Sequence, residues 1–111
     1  MSFEQAFPAA PRGLKASGKA LWKAVSGPFE LEPHELSILR EVCRTADAID
    51  ALQAVVDVQG VLNESSQGTR VHPALVELRA QRLAYTKLIG ALELPAPDVE
   101  SVGPYGVRAV R

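Results

Sequence analysis

A chain of 111 residues that is 47% hydrophobic has the length of one ordinary domain and the means to build a core, although only six residues are aromatic, so that core is mainly Ala, Val and Leu. A net charge of −1 argues against a general nucleic-acid binder, and a single cysteine, Cys43, excludes an intramolecular disulfide. No basic start leads into an apolar run, and no apolar stretch approaches the roughly 20 residues that span a bilayer, which leaves a soluble intracellular protein as the expectation.

Residues 1–13 hold Pro8, Pro11 and Gly13 among small residues and read as a flexible arm. From about Leu14 to Val25 a short helix is expected, with Leu14, Leu21, Trp22 and Val25 on one side. Lys15, Lys19 and Lys23 recur every four residues and form a stripe beside it. Gly18 weakens that helix by about 1 kcal/mol relative to Ala. Gly27-Pro28 ends it, and Phe29-Glu30-Leu31 is a connector whose apolar residues tuck against the helices.

Glu32-Pro33-His34-Glu35 opens the first long helix, with proline and acids in its first turn. Leu36, Leu39, Val42, Cys43, Ala46, Ile49, Leu52 and Val56 then step by three and four to about Val58, and Gly60 supplies the stop. A polar turn, Glu64 to Gly68, separates this helix from the next. Val61-Leu62 and Arg70-Val71 flank the turn as a candidate for brief pairing, too short to enter the fold class.

The second long helix opens abruptly at His72-Pro73-Ala74-Leu75 and runs to about Leu92, because proline suits a first turn and forces its predecessor out of helical geometry. Leu75, Leu78, Tyr85, Ile89 and Leu92 form one stripe, which Ala74, Leu83, Leu88 and Ala91 widen around the side. Apolar residues over so much of a circumference need more than one partner, which argues for association between copies. Residues 95–111, rich in Pro and Gly, read as a flexible tail whose Val99, Val102, Tyr105, Val107 and Val110 are suited to docking on a partner.

Candidate chemistry is sparse. His34 beside Glu35 reads as a solvated residue, His72 as an N-cap or turn residue, and Cys43 on the helix stripe as a small core residue. No set of ligands converges for a metal, no catalytic residue stands out, and no cofactor is implied. The segment Gly13–Ala20 has the outline of a phosphate loop but lacks the hydroxyl after Lys19 and a preceding strand.

Charge is segmentally polarised. Residues 1–27 carry Arg12, Lys15, Lys19 and Lys23 against Glu4, a net of +3; residues 28–60 carry a net of −5; residues 61–92 a net of +2; and residues 93–111 a net of −1. Such asymmetry points to an anionic partner or to head-to-tail association. The lysine stripe is the best candidate site, with phosphate contact as its functional reading and a solvated helix face as the bland one. Trp22, on the apolar side, reads as a packing residue. Arg82 falls within the Leu75–Ile89 stripe and calls for an acidic partner, with Asp47 and Asp50 available on the first long helix.

Leu36-Ser37-Ile38-Leu39, Cys43-Arg44, Gly68, Val71-His72-Pro73-Ala74-Leu75 and Leu92-Glu93-Leu94-Pro95, with Gly13-Leu14 through Ala20-Leu21-Trp22 and Phe29-Glu30-Leu31 upstream, carry a resemblance. In their order and spacing, over residues 13–95, the chain resembles the phage terminase small subunits of the P27 type. The resemblance implies a non-enzymatic, ring-forming part of a DNA-packaging motor in the host cytoplasm. It implies double-stranded viral DNA and the large ATPase/nuclease subunit as partners.

The expected architecture is therefore all-α: an arm (residues 1–13), a domain (14–94) with a short helix packed on a long antiparallel helical hairpin, and a tail (95–111), oligomerising as a ring. Arg12, Lys15, Lys19 and Lys23 are the expected DNA contacts, and Leu75, Leu78, Arg82, Tyr85 and Ile89 the expected interface between copies. The rival reading is a helical-hairpin adaptor that binds protein alone.

Overall fold

A computed structural model describes residues 8–95 of the chain. Five elements follow in order: α1 (Ala16–Ser26), α2 (Pro33–Gln59), β1 (Leu62–Ser65), β2 (Gly68–Val71) and α3 (Pro73–Leu92). The expectation of an all-α chain is overturned, because β1 and β2 pair as a two-stranded antiparallel sheet between the long helices. The arm and tail readings at residues 1–7 and 96–111 lie outside the described residues.

α2 begins with a reciprocal cap. The Glu32 side chain accepts from the Glu35 backbone N–H, while Glu35 Oε1 accepts from the Glu32 N–H at 2.7 Å, with Pro33 between them in the first turn. Twenty-seven residues then form a rod of about 40 Å. It stops at Gly60, whose φ of 85° is open to glycine at no steric cost.

The pairing that follows sets Leu62 opposite Val71, Asn63 opposite Arg70, Glu64 opposite Thr69 and Ser65 opposite Gly68. The turn Ser66-Gln67 needs no positive φ of its own; that falls on Gly68, at 115°. The Ser65 hydroxyl accepts from the Gln67 N–H and donates to the Gly68 carbonyl, both at 3.2 Å, which closes the tip. All eight strand residues are exposed, so the hairpin stands on its backbone bonds and covers nothing within the described residues.

His72 joins this hairpin to both long helices. Its backbone N–H donates to the Val61 carbonyl at 2.8 Å, its Nδ1 accepts from the Ala74 N–H at 2.9 Å as the cap of α3, and its Nε2 meets Gln59 Oε1 at 2.7 Å. An Nδ1 that accepts fixes the proton on Nε2, which donates to Gln59. The N-cap reading of His72 therefore holds, with an added tie to the end of α2.

α3 runs back antiparallel along α2, bringing Leu92 to Leu39, Val42 and Cys43. Leu14, Trp22 and Val25, from α1 and the residue run before it, complete this buried cluster. Phe29, Leu31 and Leu36 pack against its edge, as do Tyr85, Leu88 and Ile89. Val56 and Leu78 are buried nearer the sheet end. The core thus sits where three helices meet, and α1 is its lid.

Candidate nucleic-acid interface

The first helix has no cap of its own: the side chain of its N-cap residue, Lys15, makes no capping bond. The missing acceptor comes from α2. Asp47 Oδ2 accepts from the Lys15 N–H and Asp47 Oδ1 from the Gly18 N–H, each at 2.7 Å. One carboxylate thereby satisfies two of the orphan donors at the start of a helix and places a negative charge at its positive pole. The Ser17 hydroxyl adds a bond to Asp50 one turn further along α2.

This docking explains a residue that local propensity disfavours. Gly18 is buried against α2. A Cβ there would lie 2.9 Å from the Cys43 carbonyl and also strike the Asp47 carboxylate. Glycine costs α1 helix propensity and permits the close approach that the Asp47 bonds require.

Cys43 lies at the same crossing and is fully buried. Burial, together with the neighbouring Asp47 charge, pushes its thiol up to about 11. Two outcomes are expected. The native protein at pH 8 should resist a thiol-alkylating reagent and react once unfolded, as mass spectrometry would read. Because the folded-state value is raised, its contribution to stability is present below the unfolded value near 9.0 and is lost as pH climbs towards 11. A Cys43→Ala variant should show a flatter decline in stability over that window.

With its inner face fixed, α1 presents Lys15, Lys19 and Lys23 outwards, all exposed, and Arg12 is exposed in the turn before it. α1 contains no acidic residue. The ion pairs among the described residues are Arg40–Glu41 and Arg44–Glu41, both on α2, so the stripe is unpaired there. Trp22 is turned into the core and donates through Nε1 to the Pro8 carbonyl at 3.0 Å, which straps the preceding segment across α1. Between strap and helix lies an open groove of about 570 Å³, lined by Pro8, Ala10, Trp22, Ser26 and Gly27, with Lys19 and Lys23 beside them.

The residues expected to join copies are placed differently from one another. Leu78 is 1% exposed and belongs to the interior of the chain. Leu75 is half-buried, and Tyr85 and Ile89 are half-buried against the core cluster. Arg82 is exposed and donates to Gln53 Oε1 at 2.7 Å. Within the chain it has no ion pair with Asp47 or Asp50, because Asp47 is committed to the start of α1 and Asp50 to Ser17.

The apolar surface that remains open is another set: Val76 and Leu83 on α3, 54% and 59% exposed, and Val58, Val61, Leu62 and Val71 around the sheet. Val76 and Leu83 are seven residues apart and share one helix face. Sequence reasoning placed Leu83 at the margin of its stripe and gave Val76 no part.

No group of three or more His, Cys, Asp or Glu side chains among the described residues is arranged to hold a metal, and no helix there is long and apolar enough to cross a membrane. Comparison of the chain with protein-family models, with curated proteins and with solved structures finds no match.

Proposed function

We propose that this chain is a DNA-recognition subunit of a viral packaging terminase, without enzymatic activity of its own. On this reading it engages duplex DNA through Arg12, Lys15, Lys19 and Lys23 and passes it to the large ATPase/nuclease subunit in the host cytoplasm. The carrying observation is the basic stripe, without an ion pair among the described residues, on a helix whose opposite face is fixed by Asp47 and Gly18. The backbone that carries the row is held in place by Asp47, and phosphate contact supplies affinity without reading sequence.

Association between copies belongs to the same proposal. One row of lysines binds weakly, and a ring repeats it on every subunit, so that modest contacts combine into useful avidity. The open apolar set at Val76, Leu83 and the sheet supports this part of the reading.

The rival, an adaptor that binds protein alone, draws on that same apolar surface. Replacing Lys15, Lys19 and Lys23 together with Ala separates the two. The packaging reading expects the triple variant to keep its fold and molecular mass and to lose at least tenfold in affinity for duplex DNA at low salt. Binding equal to the parent's would remove the stripe from the interface.

A further inference from the structure

We propose that the groove between the Pro8 strap and α1 is a docking site for the acidic segment of the chain's own C-terminal tail, Asp98-Val99-Glu100-Ser101-Val102, which competes with phosphate for Lys19 and Lys23. The competition, though not the docking, rests on the DNA reading above.

Three observations converge on this occupant. The first is chemistry. The groove combines apolar walls at Pro8, Ala10 and Trp22 with two ammonium groups that have no ion pair among the described residues. It calls for a ligand with apolar side chains and carboxylates close together. Residues 98–102 have that composition, two acids and two valines in five residues with no basic residue among them.

The second is spacing. Lys19 and Lys23 stand one turn apart on α1, about 6 Å along the axis. Carboxylates two residues apart on an extended chain, as Asp98 and Glu100 would be, are about 6.6 Å apart and project to the same side. The two pairs match without bending either backbone.

The third is reach. Leu92 is buried in the same cluster as Trp22 and Val25, and Leu94 packs against that cluster. The last described residues before the tail therefore lie against the core that α1 also covers. From Pro95, Asp98 lies within about 10 Å and Val102 within about 24 Å of extended chain. α1 itself, at 11 residues, is about 16 Å long.

The test uses the full chain and the Asp98→Asn/Glu100→Gln double variant. Amide resonances of Lys19 and Lys23 and the indole N–H resonance of Trp22, the one tryptophan of the sequence, are compared at low salt. Docking predicts that all three move in the variant, and that adding salt to the parent moves them the same way. It also predicts that the variant binds duplex DNA about three- to tenfold more tightly than the parent, as expected for the removal of two exposed ion pairs.

Unchanged resonances overturn the proposal. So do shifts that grow with protein concentration, which would assign the groove to a neighbouring copy's tail. A response to Phe7→Ser in place of the tail variant would assign it to the residues before Pro8 and overturn the proposal as well. If the resonances move as predicted and neither protein binds DNA, docking stands and the DNA reading fails.

Discussion

Leu78→Asp is expected to leave the chain unable to hold its fold, whereas Leu83→Asp on the same helix is expected to fold normally. The two leucines are five residues apart and chemically identical. Leu78 is 1% exposed, inside the packing of α3 against α2, and Leu83 is 59% exposed. An aspartate at Leu78 would bury a charge with no partner, and removing apolar contact adds a cavity. Together these cost several kcal/mol, comparable with the roughly 5–15 kcal/mol that holds an ordinary domain together. At Leu83 the charge stays in water and the cost falls to about 0.5 kcal/mol or less.

Denaturant unfolding followed by circular dichroism would read the difference in stability, and light scattering the mass. If copies associate through the open α3 face, Leu83→Asp lowers the mass while the helical signal stays at the parental level. A Leu78→Asp protein with parental stability would contradict the packing described for α3.

The second large effect belongs to Gly18. Helix propensity alone predicts that Gly18→Ala stabilises α1 by about 1 kcal/mol. The packing predicts the opposite sign. The added Cβ meets the Cys43 carbonyl at 2.9 Å, a backbone atom in the middle of α2 that cannot swing aside. It also meets the Asp47 carboxylate, which is held by the two N–H groups it caps. Relieving the clash means lifting α1, which strips those donors of their acceptor.

Overpacking of this kind costs about 1–3 kcal/mol and loss of a cap about 1 kcal/mol more. A net loss of about 2 kcal/mol lowers the melting temperature of a domain this size by roughly 8–16 °C. Gly18→Val, bulkier and β-branched, should fall further. A rise in melting temperature for Gly18→Ala would mean that α1 does not sit against α2 as described.

Both predictions turn on residues whose sequence context misleads. The three helices were legible because each has a periodic apolar face and clear ends: Gly27-Pro28, Glu32-Pro33, Gly60 and His72-Pro73 fall at or within a residue or so of the observed boundaries. All eight apolar positions of the α2 stripe are buried or half-buried. The sheet was legible only as a brief pairing of Val61-Leu62 with Arg70-Val71, which the Leu62–Val71 register bears out in part, and it does not enter the expected fold class. Its strands have four residues each, all exposed, so the alternation that marks a half-buried strand is missing, and only the cross-strand bonds define it.

What lies across a helix crossing was equally hidden. Asp47 and Asp50 read as partners for Arg82, since sequence gives no measure of which face of α2 meets α1. The structure gives both to α1 and leaves Arg82 with Gln53. Gly18 read as a defect in a helix because the reason for it is a carbonyl 25 positions away. On α3, periodicity identified the stripe but could not divide it between the partner within the chain and the surface. That division leaves Val76 and Leu83 open and Leu78 closed.

Of the candidate site, the lysine spacing was legible and its support was not. A stripe at every fourth position is commonplace on solvated helices. Here it lies on a helix anchored from behind by a carboxylate, with no acid of its own and a groove along its edge. Those features fix the backbone that carries the basic residues and leave their side chains exposed.

The most direct measurement is the affinity of the parent protein for a short duplex of arbitrary sequence across a series of salt concentrations, by fluorescence anisotropy. Each phosphate contact contributes about −0.9 to the slope of log affinity against log salt. If Arg12, Lys15, Lys19 and Lys23 all engage, the slope per bound subunit is near −3.6, and the triple lysine-to-alanine variant is left near −0.9. Binding that is absent at low salt, or that persists with a flat slope in both proteins, would contradict the account and leave the apolar surface of α3 and the sheet as the place where this protein meets its partner.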